Sequence, residues 1–205
     1  MSKIILLDTG IGNIQSVANV LEYIGADFET SDSPVALSKA SKIVFPGVGT
    51  YGNAMERIRK KDLYECLRKA LLIDKKLCLG ICVGMQVMSE VGYEFGEHQG
   101  LGVIPGVVKK IEVGEEKLRL PHVGWNNVSF KNDSPLFKKI PQDASFYFLH
   151  SYLFVPKEPG ATSCTVNYGA KFTAAIEREN IFGVQFHPEK SQEVGIQLIK
   201  NFVEL

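Results

Sequence analysis

The chain has 205 residues, 23 Lys plus Arg against 23 Asp plus Glu, and 45% apolar residues. That length suits one domain, at about 100–200 residues each, and a chain of this size buries about 70% of its unfolded surface, so no disulfide or metal staple is needed. Balanced charge argues against capture of nucleic acid through a net basic footprint, and no run of about 18 apolar residues is present to cross a membrane.

Lys3 to Leu7 reads as a buried strand, and its apolar run stops at Asp8, too early for a secretory signal. From Ile14, apolar residues recur at Val17, Ala18, Leu21 and Ile24, a helical stripe closed by Gly25. Phe28 to Thr30 is a second strand, and Ser33 with Pro34 forms an N-cap followed by a first-turn proline. Lys42 to Phe45 is a third strand, ended by Pro46 and Gly47. One long helical stretch then runs through Met55, Ile58, Leu63, Leu67 and Leu71 into the strand Leu77 to Ile81. The basic run Arg57, Arg59, Lys60 and Lys61 lies beside Glu56 and Asp62 and reads as a solvated helix face rather than a phosphate patch. After Gly100 the segments Val103 to Val113, Leu118 to Phe130, Phe146 to Val155 and Thr162 to Ile176 are strand-like, with turn residues between them. Ile181 to Phe186 is a further strand, and Ser191 opens a last helix. This βα rhythm predicts a three-layer α/β/α domain with a central mostly parallel sheet and an additional small β region.

Gly80-Ile81-Cys82-Val83-Gly84 sits between a strand and a helix and has the G-x-nucleophile-x-G form of a nucleophile elbow. The tight turn strains the central residue, the glycines remove clashing Cβ atoms, and N–H dipoles at the helix start favour a thiolate. A buried structural cysteine is the competing reading. The other cysteines, Cys66, Cys78 and Cys164, have no elbow; the four spacings match no zinc pattern, and in a reducing compartment all four are expected as thiols. A thiol nucleophile needs a base. His187 in GVQFHPEK ends a strand, and residues i and i+2 of extended backbone share a side, so Glu189 can accept from the imidazole and fix its tautomer. Acyl transfer also needs an oxyanion hole. The Val83 N–H is one donor by position; Val48 and Gly49 in PGVG offer another, although that turn could simply end a strand. Gly10 and Gly12 suggest a dinucleotide site, but Gln15 replaces the third glycine and there is no Walker A run. Trp125 fits core or interface equally. His98, His122 and His150 are expected to be structural or on the surface.

With Cys82 in LGICVGMQ and His187 and Glu189 in FGVQFHPEKS, the chain resembles the class I, or triad, glutamine amidotransferases. DTGIGNIQSV near the start, PGVG at 46–49, PHVGWN at 121–126 and FLHSY at 148–152 resemble the histidine-biosynthesis branch of that family, the glutaminase subunits of imidazole glycerol phosphate synthase. PGVG stands where most class I relatives have PGG. The resemblance covers nearly the whole chain and implies a single amidotransferase domain over residues 1–205.

The resemblance further implies hydrolysis of L-glutamine by Cys82, His187 and Glu189, with Gln86, Glu94 and the Ser151–Tyr152 backbone holding the substrate. Ammonia would pass to a (β/α)8-barrel cyclase subunit that makes imidazole glycerol phosphate and aminoimidazole carboxamide ribonucleotide, the two chains forming a heterodimer. Asn13, Trp125 and Lys190 match positions near that partner. No metal or organic cofactor, nucleic acid or membrane is implied, and the expected location is cytoplasmic. Amidotransferase subunits for vitamin B6 or anthranilate synthesis, or a related cysteine hydrolase of γ-glutamyl bonds, are the alternatives.

Overall fold

The computed structural model describes residues 3–112 and 118–205. The first half alternates β1 (Ile4–Leu7), α1 (Ile14–Tyr23), β2 (Phe28–Ser31), α2 (Pro34–Lys39), β3 (Lys42–Gly47), α3 (Tyr51–Lys60), α4 (Leu63–Leu72) and β4 (Leu77–Cys82). Every position of β1 and β3 is buried, which is why these strands, Lys42 apart, are continuous apolar runs: helices cover both faces of the sheet. Gly25 ends the first helix region at φ +71, a conformation that costs glycine nothing. Ser33 caps α2, its Oγ accepting from Val35 N–H at 3.2 Å, with Pro34 in the first turn where its missing N–H is harmless.

After β4 come the single-turn helix α5 (Val83–Gln86), β5 (Val91–Gly92), β6 (His98–Gln99), β7 (Gly106–Lys110), β8 (His122–Phe130), β9 (Ser145–His150) and β10 (Tyr152–Pro156). The chain closes with β11 (Thr162–Tyr168), β12 (Ala170–Arg178), β13 (Ile181–Val184) and α6 (Gln192–Glu204). The large sheet runs β2-β1-β3-β4-β13-β12-β11-β8-β9. Its first five strands are mutually parallel, and the last four extend it antiparallel. Right-handed crossovers put α1 and α2 on opposite faces, because the chain steps outward from β1 to β2 and then back across β1 to β3. α6 packs with α1 and α4 with α2, which completes the three layers. The expected small β region is the four-stranded sheet β10-β7-β5-β6.

Several boundaries differ from the sequence reading. Pro46 and Gly47 do not end β3: they pair in register with Ile81 and Cys82. β1 pairs with β3 only as far as Val44, so Pro46 lies where one side of the strand has no ladder to lose. The single long helix is two, separated at Asp62, which adopts φ 54; Asp tolerates this left-handed region better than most residues. The segment Phe146 to Val155 is two strands in different sheets, parted at Ser151. Regular pairing within Val103 to Val113 and Leu118 to Phe130 is confined to β7 and β8, and Val113 lies outside the described residues. Thr162 to Ile176 folds as a hairpin turning at Gly169. β5 and β6, of two residues each, are too short to leave a periodic trace.

The basic run on α3 is a paired, solvated face: Lys60 meets Glu56 at 2.6 Å, Lys61 meets Asp32 at 2.5 Å, and the Arg59 guanidinium lies 4.8 Å from the Tyr64 ring centre. Among the described residues, no helix is long and apolar enough to cross a membrane.

Candidate active site

Cys82 ends β4 at φ 55, ψ −112, a backbone conformation that side-chain-bearing residues rarely adopt, and α5 starts at the next residue. The turn is possible because of what surrounds it. A Cβ on Gly84 would lie 1.9 Å from the Phe45 carbonyl oxygen, and one on Gly80 would lie 2.8 Å from the backbone of Gly84 and Met85. Glycine at 80 therefore lets the start of α5 fold back on β4, and glycine at 84 lets it press against β3. The nucleophile elbow expected from the sequence is present, with Cys82 5% exposed at the C-terminal edge of the parallel strands. This is the edge where open α/β sheets hold their ligands.

β13, the parallel neighbour of β4, carries the second half of the site. β13 ends at Val184, short of the expected Phe186: Gln185 and Phe186 form a bend, in which Gln185 N–H bonds the Ala174 carbonyl at 2.8 Å. His187 is anchored to β9 by its own N–H to the Tyr147 carbonyl at 2.8 Å. The fully buried Ser191 links the same two segments: its Oγ donates to the His187 carbonyl at 2.6 Å and accepts from Tyr147 N–H at 3.0 Å. His187 Nδ1 lies 2.8 Å from Glu189 Oε1, both side chains being almost fully buried. The pairing is the expected one, but its geometry is not. Pro188–Lys190 is a 3-10 turn rather than extended backbone, and the turn brings the carboxylate back to the ring.

Burial works against a charge on His187, but the Cys82 sulfur and the Glu189 carboxylate outweigh it and lift its pKa to about 10. Both neighbours favour the protonated ring, which lies beside the Cys82 sulfur. By contrast, burial pushes the Cys78 and Cys164 thiols up, so these cysteines are inert. All four cysteines are free.

Cys82 and His187 open onto one cavity of about 210 Å³, smaller than the about 300–1,000 Å³ of drug-sized sites and suited to an amino-acid-sized ligand. Val83, Val48 and Gly49, the expected oxyanion donors, line it, with Gly49 at φ +90. So do the expected substrate-holding residues Gln86, Glu94, Ser151 and Tyr152. Glu94 Oε2 also accepts from Tyr51 N–H at 2.7 Å, which ties it to the first turn of α3 just beyond PGVG.

A family profile, glutamine amidotransferase class-I, matches residues 5–205. The chain belongs to that family. It is 43% identical over 202 residues to imidazole glycerol phosphate synthase subunit HisH 2 of Pseudomonas aeruginosa, covering 98% of this chain and 99% of that protein. It is 44% identical to subunit HisH of Acinetobacter baylyi, covering 100% of this chain and 98% of that one. The fold is shared with a crystal structure of a glutamine amidotransferase at TM-score 0.76 and 14% identity, over 100% of this chain and 98% of the other.

Three further positions of this amidotransferase lie outside the cavity. Trp125 is 48% exposed and meets Tyr147 edge-on at 6.1 Å between ring centres, while the exposed Lys190 ammonium stands 5.6 Å from the same Tyr147 ring. Trp125, open between core and interface in the sequence, is thus a half-exposed residue beside exposed Val123 and Leu149. Asn13 precedes α1, where its Oδ1 accepts from Ser16 Oγ at 2.8 Å.

Two residues at the site were not singled out in the sequence. Gln185 is fully buried and its Nε2 donates to Cys82 Sγ at 3.7 Å. His150, expected to be structural or on the surface, lines the cavity and is 6% exposed; burial pushes its pKa down to about 3. No strand alternation points to Gln185, because residues 185–186 bend away from β13.

Proposed function

We propose that this chain hydrolyses L-glutamine to glutamate and ammonia as the glutaminase subunit of imidazole glycerol phosphate synthase, in histidine biosynthesis. The observation that carries the reading is the buried His187–Glu189 pair beside Cys82, on a strained turn, in one amino-acid-sized cavity. Relatives that bear the synthase subunit name along their full length support the same assignment.

The chemistry follows from the groups present. The Cys82 sulfur attacks the carboxamide carbon, and the oxyanion that forms is met by Val83 N–H and the Val48–Gly49 backbone. As the tetrahedral intermediate collapses, the His187 imidazolium gives its Nε2 proton to the departing nitrogen, which leaves as ammonia. A thioester and a neutral imidazole remain. That imidazole takes a proton from water, whose oxygen attacks the thioester; glutamate leaves, and the sulfur and imidazolium are restored. Glu189 holds Nδ1–H throughout and opposes the ring's positive charge. Gln86, Glu94 and the Ser151–Tyr152 backbone hold the amino-acid end.

The ammonia passes to a (β/α)8-barrel cyclase subunit, bound as a heterodimer through the face that carries Trp125 and Lys190, with Asn13 nearby. The free thiols suit the cytoplasm. One experiment tests the assignment. The complex bearing Cys82→Ala should lose glutamine-dependent synthesis yet keep synthesis from added ammonium salt. Loss of both from a correctly assembled complex would place Cys82 in the synthase chemistry and overturn the ammonia-donor reading.

A further inference from the structure

A second set of buried polar groups reaches Cys82 through Gln185. His122 and His150 are register partners across β8 and β9, both buried, with His122 Nδ1 3.1 Å from His150 Nε2. His122 is held between the rings of Phe148 and Tyr168, at 4.8 and 4.0 Å between centres. His150 Nδ1 lies 2.8 Å from the Tyr152 carbonyl oxygen. The same oxygen accepts from Gln86 Nε2 at 3.0 Å; Gln86 Nε2 also donates to Gln185 Oε1 at 2.9 Å, and Gln185 Nε2 reaches Cys82 Sγ.

Hydrogen-bond valence gives this chain one direction. A peptide carbonyl can only accept, so His150 must carry its proton on Nδ1 and present a lone pair at Nε2, and His122 must donate from its own Nδ1. His122 Nε2 is then an acceptor, 3.4 Å from Asn126 Nδ2. On the other side, the carbonyl turns both amide hydrogens of Gln86 inward, leaving only Gln86 Oε1 to face the cavity. Gln185 must then offer its carbonyl to Gln86 and its N–H to the sulfur.

We propose that the Tyr152 carbonyl, held by the His122–His150 pair, fixes the polarity of the whole network, so that Gln86 presents an acceptor to the substrate and Gln185 presents a donor to Cys82. His150, His122 and Gln185 are positioning residues: they act on glutamine through Tyr152, Gln86 and the sulfur. An acceptor at Gln86 suits an N–H of the substrate, and a donor at Gln185 favours a sulfur that carries negative charge. A network of the opposite sense would repel both.

The inference rests on the glutaminase reading, and its test separates the two. His150→Gln moves the amide to the place of Nε2 and removes the donor to Tyr152; His150→Asn keeps an N–H near the place of Nδ1. Steady-state glutamine hydrolysis by the complex should show KM raised about tenfold by His150→Gln, the effect of one neutral hydrogen bond, with His150→Asn recovering most of it. Equal KM values for the two variants, or a worse one for His150→Asn, would overturn the network while leaving the Cys82→Ala result intact. Nitrogen NMR of the unsubstituted chain covers the case in which neither variant folds. Both rings should be neutral Nδ1–H tautomers at neutral pH, and an Nε2–H tautomer at either would refute the assigned direction.

Discussion

Two histidines stand on the wall of one cavity, and the protein drives them in opposite directions. His187 and His150 are both buried, yet the pKa of the first is lifted to about 10 and that of the second falls to about 3. Burial lowers both. The difference lies in what the rings face: the Cys82 sulfur and the Glu189 carboxylate both raise the His187 pKa, whereas His150 has a peptide carbonyl and the neutral ring of His122. Desolvation sets a penalty common to both sites, and the charge of the partner decides which form survives it. One site can therefore hold a proton donor ready while its neighbour serves only to orient.

The comparison can be broken most severely at its charged end. Cys82→Ala should cut glutamine hydrolysis at least about 1,000-fold, measured as ammonia release, because no other group in the cavity replaces the nucleophile. Glu189→Gln should lower kcat about 100- to 10,000-fold, as in other triads that lose their orienting carboxylate. It also removes a group that raises the His187 pKa, so any residual activity should lose its imidazolium at lower pH, and the alkaline limb should move down from about 10. A limb that stays in place would show that Glu189 does not support the charge.

At the neutral end the linkage has the opposite sign. The pKa of His122 is pushed down to about 4 by burial, so below about pH 6.5 the unfolded chain takes up a proton that the folded chain refuses. Stability should fall as pH drops from 6.5 toward 4, by at most about 3 kcal/mol from this ring. His122→Phe, which keeps an aromatic ring between Phe148 and Tyr168, should remove this ring's share of the acid decline in urea titrations and leave that of His150. His187 behaves in reverse: its contribution is complete below 6.5 and is lost as pH rises through about 10. The smallest effect belongs outside both pairs. Cys66→Ala on α4 should leave hydrolysis within about twofold of the parent and should not alter labelling of Cys82 by electrophilic glutamine analogues.

Much of this was legible in the sequence where the signal is local. The elbow at Cys82, the βα rhythm and a histidine just beyond a strand each depend on residues within a few positions of one another. What could not be read depends on register between distant strands. Nothing near His150 announces that it stands opposite His122, 28 residues away, or that Tyr152 turns its carbonyl to Gln86. The break at Asp62 was missed because the apolar spacing runs on through it, and the extent of β3 because proline normally ends a strand inside a sheet. Strand alternation puts Glu189 beside His187 in the sequence, whereas in the structure a 3-10 turn brings the two together.

The contrast between the two cavity histidines is tested most directly by following the imidazole nitrogens of all four histidines by NMR across a pH titration of the folded chain. The account predicts that His187 stays an imidazolium through neutral pH and gives up its proton near 10, while His150 stays neutral over the whole range above about 4. A His187 that titrates at or below 6.5, or a His150 that charges near that pH, would contradict it.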